Sequence, residues 1–349
     1  MRKSFFLSIL AVGALVAGCA KSEVVDSKYG NDAIGFESYI GRDAMTKASV
    51  ADVATVQENG FGVFGFYTGT QDYAPTTSAN LMNDITVSYD DSKGWTYSPV
   101  KYWTNATDKY TFLAYSPASL EATQGTNVAP TFTYTVPATL ADQIDVLYSN
   151  DNKNVRKSDK VNFTFKHALS RITVKANAEM YDKDGNIVTE APEGGYDNTF
   201  TITSLVLNGA FNTTGNFDLN AEEWALTPGT ATYSFFTGSQ ALTGELHDFA
   251  GTDNYLMALP TDFSAKTGEG EEATFTQTAI LTVKYTVTYA GSTSAENTAT
   301  VAINTNFEQG KAYSINIKLM RDPDNAITFD VVKVEGWDTE TVVDKKVEA

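Results

Sequence analysis

Cys19 is the only cysteine in the 349 residues, and its surroundings suit one reaction, attachment of lipid to its thiol. Met1-Arg2-Lys3 is a short basic head, Phe5 to Gly18 is an apolar run, and Val16-Ala17-Gly18 places small residues directly before the cysteine. The run is shorter than the roughly 20 apolar residues needed to cross a bilayer. It therefore reads as a lipoprotein export signal over residues 1–18, with acylated Cys19 as the anchor and residues 19–30 as a polar tether.

Other constellations that could do chemistry are sparse. The two histidines, His167 and His247, stand about 80 positions apart, and no cysteine joins them as a zinc ligand set. His167 follows the alternating Phe163 and Phe165 and reads as a hydrogen-bonded strand residue. Asp182-Lys183-Asp184-Gly185-Asn186 has the start of a calcium loop but lacks the remaining ligand series and the closing glutamate, so a hairpin turn fits it better. Tyr97, Tyr102, Trp103 and Trp224 could stack on sugars, although sandwich positions account for most of them. No nucleophile elbow and no phosphate loop occurs, and no pair of carboxylates is marked out for glycoside chemistry. The chain reads as a non-enzyme with no cofactor and no metal site. A formal net charge of -18 excludes a nucleic-acid partner, whose phosphates require a basic surface.

The elements that carry these residues are written in the period of a β-strand. Phe61, Val63 and Gly65 alternate, as do Phe132, Tyr134 and Val136, Val161, Phe163 and Phe165, and Ile172, Val174 and Ala176. The pattern returns from Ala279 to Tyr289 and from Tyr313 to Leu319. Such alternation, rich in Thr, Val, Tyr and Phe, marks half-buried antiparallel strands. Helical pattern is scarce, with 139–147 and 239–249 its best short candidates. The length suits two domains, and the polar stretch 149–160 offers the best internal boundary. The expectation is all-β, two β-sandwiches in tandem, over residues 31–157 and 158–349.

Several strand-like segments, taken in order, resemble one family. They are 61–67 (FGVFGFY), 95–103 (WTYSPVKYW), 110–117 (YTFLAYSP), 163–172 (FTFKHALSRI), 307–313 (FEQGKAY) and the closing Val334-Glu335-Gly336-Trp337. With the acylation signal, they resemble the fimbrillin-like (Mfa-like) family of Bacteroidales, the subunits of type V pili. The resemblance implies transthyretin-like sandwiches, export as a lipoprotein to the outer membrane and cell surface, and trimming there by an Arg- or Lys-specific protease. It further implies loss of the first strand and assembly into adhesive fimbriae, a neighbouring subunit's strand filling the vacated groove. The partners would be other pilin subunits, the outer membrane through the lipid, and a host protein or glycan.

Matching segments exist for each step. Ile34, Phe36, Ser38 and Ile40 fall on one face of a short strand and are the candidates for displacement. Arg42 and Lys47, in the small-residue stretch that follows, are both candidate cleavage points. The Asp/Pro turn 321–325 sets off Ile327, Phe329 and Val331, which share a face and suit either a donated strand, within residues 326–337, or the last strand of the chain's own sandwich. A second class of function stays open: a surface lipoprotein that remains monomeric and binds a glycan or a host protein.

Overall fold

The computed structural model describes residues 32–40, 53–251, 254–268, 274–320 and 328–333, with Ile40 and the last group described by backbone alone. Cys19, Arg42, Lys47 and Ile327 lie outside the described residues.

The first half of the chain supplies β1 (Phe36–Ile40), β2 (Phe61–Gly69), β3 (Met82–Asp90), β4 (Gly94–Thr96), β5 (Lys109–Ser116), β6 (Pro130–Thr135), β7 (Leu147–Val155) and β8 (Val161–His167). Seven of these form sheet A, in the order β1-β8-β7-β5-β2-β3-β4. The central strands β2 and β5 are buried on both faces, so their sequences are continuous apolar runs rather than alternations. β8, nearer the rim, alternates strictly: Val161, Phe163 and Phe165 are buried while Asn162 and Lys166 face water. Gly62 is required where β2 meets β5, because a Cβ there would lie 2.3 Å from the Tyr115 ring.

The second half supplies β9 (Ser170–Ala178), β10 (Asn198–Gly209), β11 (Asn212–Asp218), β12 (Glu223–Pro228), β13 (Ala231–Ala241), β14 (Leu256–Ala258), β15 (Ala279–Tyr289), β16 (Asn297–Ile303), β17 (Ala312–Leu319) and β18 (Thr328–Lys333). β12, β11 and β6 join in sheet B. β14 and β17 flank β9, and β18 pairs with β17, making sheet C, while β13, β10, β15 and β16 make sheet D. The β1–β8 and β9–β17 pairs are parallel and the other pairings are antiparallel.

The outcome is a predominantly β molecule built as tandem sandwiches. One face of sheet A packs on sheet B, with the Tyr115 and Phe132 ring centroids 5.6 Å apart and those of Tyr148 and Phe217 4.7 Å apart. That core runs on into the space between sheets C and D, lined by Ile172, Val174, Leu205, Leu207, Leu281, Val283, Ile315 and Ile317. The opposite face of sheet A covers a separate core with Val56 of the short helix α1 (Val53–Asn59) and Trp103.

Two expectations are corrected. The expected boundary at 157/158 falls in the connection between β7 and β8, which are neighbours in sheet A; the polar side chains of 149–160 serve that hairpin, as where the Asn152 amide donates to the Asn162 carbonyl at 2.7 Å. The halves also interleave, since β6 pairs with β11. Of the helix candidates, 139–147 holds a single 3₁₀ turn, Leu140–Asp142, and 239–249 contains strand residues His247–Asp248. Among the described residues the α-helix is α1, seven residues with only Val56 buried, too short to leave a periodic signal.

Candidate assembly groove

The leading strand lies in a channel with backbone partners on both sides. Along one side, β1 runs parallel to β8 from Phe36 opposite Val161 to Ile40 opposite Phe165, and the Val161 amide donates to the Gly35 carbonyl at 2.8 Å. Along the other, Ala33 bridges Tyr102, the Ile34 amide donates to the Lys101 carbonyl and the Trp103 amide donates to the Asp32 carbonyl, each at 2.9 Å. The Tyr97 hydroxyl donates to the Ile34 carbonyl at 2.7 Å. Burial pushes that phenol up to about 12, so it keeps its proton at physiological pH.

The floor of the channel is aromatic. Ile34 and Phe36 are 1% and 2% exposed, so the leading residues belong to the core. The Phe36 ring stacks on Phe163 at 5.6 Å, meets Phe61 and Phe112 edge-on at 6.1 Å each, and lies 5.3 Å from Tyr97. Burying two such side chains contributes about 1.5–3 kcal/mol each. Tyr39 faces water, as period-two geometry requires. Ser38 shares the inward face, but its hydroxyl is buried and has no hydrogen-bond partner among the described residues. An unmet hydroxyl there costs about 1–3 kcal/mol.

Two ion pairs clamp the strand from the β7–β8 connection: Lys157 with Asp32 and Lys160 with Glu37. Nothing in the pattern of 149–160 connects these lysines to residues more than a hundred positions earlier. They are the functional candidates that sequence reasoning misses.

At the other end of the chain, β18 hydrogen-bonds to β17 as the rim of sheet C, with Phe329 opposite Ile317 and Val331 opposite Ile315. Both termini of the described fold thus contribute rim strands, one to each sandwich.

The remaining candidates are structural. His167 Nδ1 lies 2.8 Å from Asp145 Oδ2 with both side chains buried, a structural pair. Asp182 Oδ1 accepts from the Asp184 and Asn186 amides at 2.9 and 2.8 Å, closing the turn of a hairpin between 180–181 and 187–188. The side-chain and backbone hydrogen bonds from Asn186 lower the Asp182 pKa. Among the described residues no group of three or more His, Cys, Asp or Glu is placed to hold a metal ion. Trp103 is buried, and Trp224 packs edge-on against Phe132 and Phe217 while its indole donates to the Ala168 carbonyl at 2.7 Å. Tyr97 is part-buried under the leading strand, and of these four Tyr102 is the exposed one, at 38%.

Fold and site together define a structural β-sandwich protein in which the first sheet is completed by a leading rim strand. The profile of the fimbrillin-like family matches residues 46–337, and the chain belongs to that family of fimbrial, cell-surface proteins, which are structural rather than catalytic. Fimbrium subunit Fim1C of Phocaeicola vulgatus is 26% identical over 259 residues, a match spanning 66% of this chain and 64% of that relative. Among solved structures, a fimbrial protein from Bacteroides vulgatus ATCC 8482 superposes with a TM-score of 0.64 at 18% identity, over 88% of this chain and 100% of the other. A candidate cell adhesion protein from Bacteroides ovatus ATCC 8483 gives 0.50 at 16% identity, over 88% and 99%. At these identities the two structures speak for the fold alone.

Proposed function

We propose that this chain is a fimbrial subunit that assembles by strand exchange. It is exported with a lipid on Cys19 to the outer membrane, cut after Arg42 or Lys47 by an Arg- or Lys-specific protease, and stripped of residues 33–40. The vacated groove in its transthyretin-like first sandwich then takes a strand of the next subunit, with Ile327, Phe329 and Val331 as the inward anchors. Repeated head to tail, the contact does not close and yields a filament that serves adhesion.

The observation that carries this reading is the burial of Ile34 and Phe36 in the leading segment, whose rim strand is followed in the sequence by the two basic residues. While attached, that strand pairs at high effective concentration and excludes a donor; once cut, it leaves an aromatic floor and unpaired backbone groups. The pairing of β18 with β17 favours a second reading, a monomeric surface lipoprotein with a closed second sandwich that binds a glycan or host protein.

Trypsin treatment of purified precursor, sequencing of the new N-terminus and gel analysis without boiling separate the two. Wild type should give ladders and an Arg42→Ala, Lys47→Ala double variant should not. Equal ladders from both, or ladders with residues 33–40 still attached, would remove strand exchange.

A further inference from the structure

The second sandwich carries an open cleft that shares no residue with the leading-strand groove. It lies where β9 and β17 end together, at Ala178 opposite Leu319, and encloses about 410 Å³. Met180, Ile187, Val188 and Tyr196 give it apolar walls, and Glu179 and Glu245 give it carboxylates. Ile187 is 62% exposed, so the apolar wall stands open at the rim. Glu179 is already matched, its two oxygens taking the Lys318 ammonium and the Tyr181 hydroxyl at 2.9 Å each. Glu245 is exposed and has no ion-pair partner among the described residues. Apolar walls beside an open carboxylate suit a cation on an apolar stem, which buries its methylenes and keeps its charge at the acid.

The chain itself offers such a group. Residues 153–160 carry four cations against one acid, whereas residues 179–193, around the cleft, carry five acids against one cation. Of the four cations, Lys157 and Lys160 are paired with Asp32 and Glu37, and Lys153 donates to the Asn220 carbonyl at 3.0 Å. Arg156 is left, exposed just beyond β7 and without an ion-pair partner among the described residues. No residue of 153–160 lines the cleft: β8 runs from that connection to Ala168-Leu169, and β9 runs from there to the cleft, in another sheet. We propose that Arg156 of one copy enters the cleft of a second copy, its guanidinium on Glu245 and its stem along Ile187 and Tyr196. Two copies of charge -18 repel on average, and this contact joins the one strongly basic connection to an acidic surface. It uses different surfaces on the two copies, so it repeats along a row. Folded surfaces make it, with the leading strand in place, and it needs neither cleavage nor an exchanged strand.

The test uses the full, uncut chain carrying Cys19→Ser, so that introduced thiols are the only ones. Arg156→Cys and Glu245→Cys proteins, mixed under mild oxidation, should trap a disulfide-linked pair about tenfold faster than Arg156→Cys mixed with Ser234→Cys, an exposed position on sheet D. In sedimentation at low salt, Arg156→Glu and Glu245→Arg should each weaken self-association by about two- to tenfold. Mixing the two variants, or placing both changes in one chain, should restore it, and added salt should weaken the wild-type contact. Both residues are exposed, so each variant should keep the wild-type urea midpoint. Self-association of Arg156→Glu equal to wild type, no recovery on mixing, or trapping no faster than at Ser234→Cys would overturn the contact. So would a wild type that stays monomeric while its cleft takes a neutral oligosaccharide, which would give the cleft another occupant. Ladders after trypsin report the exchanged strand separately: ladders from Arg156→Glu would leave strand exchange standing if this contact fails, and their loss from wild type would remove strand exchange without touching the trapped pair.

Discussion

The two cores of this molecule are made differently. Under sheet A the core is made of rings: Phe36 lies among Phe61, Tyr97, Phe112 and Phe163, Phe61 touches Trp95 and Phe165, and Trp103 meets Tyr110 edge-on. Between sheets C and D branched aliphatics take the larger share, Ile172, Val174, Ile202, Leu205, Leu207, Leu281, Val283, Ile315 and Ile317 among them, with rings such as Phe211, Tyr233, Phe263 and Phe307 beside them. The backbone follows suit. The parallel pair β9–β17 runs from Arg171 opposite Ala312 to Ala178 opposite Leu319, whereas β1–β8 makes five residue pairs among the described residues. Interdigitated aliphatics behave as a jigsaw that every element must complete. Rings held by β2, β5 and β8 form a socket whose last wall, Phe36, comes from a short strand at the sheet rim. The first sandwich thus takes part of its core from a strand at the sheet rim, whereas the parallel pair of the second lies inside sheet C.

The largest expected effect tests whether the socket is structural. Phe163 is fully buried and belongs to β8, an internal strand, so Phe163→Ala should cost about 3–5 kcal/mol through lost transfer energy and the cavity left behind. Ile317→Ala in the aliphatic core should cost about 2–5 kcal/mol. Both are read from the urea midpoint. An unchanged transition in Phe163→Ala would place this ring outside the socket and erase the contrast.

A smaller loss is expected at Phe36, although it is buried almost as deeply. The cost of truncating a side chain on a strand that can detach is capped by the free energy of local detachment, because beyond that point the strand leaves and the rest stays folded. Phe36→Ala should therefore cost about 1–3 kcal/mol, below Phe163→Ala, and should accelerate hydrogen exchange at the Val161 amide, which bonds to Gly35. Equal losses at 36 and 163, with slow exchange at 161, would mean that the leading strand is integral to the sandwich.

Much of this architecture is legible in the sequence, because period-two alternation reports burial on one face directly. Val161, Phe163 and Phe165 share one face by pattern alone, as do Ile34 and Phe36, and Asp and Gly mark the turn at 182–186. Sheet partnership is another matter. That β6 joins β11, some eighty residues on, depends on which apolar faces meet in three dimensions, and no local signal encodes it. The polar run 149–160 shows the ambiguity well: exposed hairpin residues and a linker have the same composition, and only the coordinates reveal Lys157 and Lys160 holding the leading strand.

The finest contrast concerns two carboxylates, Glu222 between β11 and β12 of sheet B and Asp84 on β3 of sheet A. Glu222 accepts hydrogen bonds from the Tyr148 hydroxyl at 2.8 Å and the Lys166 ammonium at 2.9 Å, and Gln309 donates to the same hydroxyl at 3.2 Å, so three parts of the chain meet there. Partial burial works to raise its pKa, but the bonds from Lys166, Tyr148 and Asn150 outweigh it and the net shift is downward. Asp84 accepts from the Tyr115 hydroxyl at 2.6 Å, yet burial first, and the charge of Glu121 after it, leave its pKa raised. The signs are opposite. A depressed carboxylate stabilises the fold above the ordinary carboxylate range, and this is lost as pH falls through its folded pKa. A raised one favours the fold in acid and loses that contribution as pH rises through its folded value, leaving a cost at neutrality. Glu222→Gln should therefore lower stability at pH 7 by about 0.2–1 kcal/mol, a figure limited by the solvent both groups still see. Asp84→Asn keeps an acceptor for Tyr115 and suits the left-handed backbone at φ 53°, and it should raise stability at pH 7 by a few tenths of a kcal/mol. In acid strong enough to protonate both carboxylates, the two variants should converge on wild type. Urea midpoints at the two pH values decide it: if both variants move in the same direction at pH 7, the opposed environments of Glu222 and Asp84 are wrong.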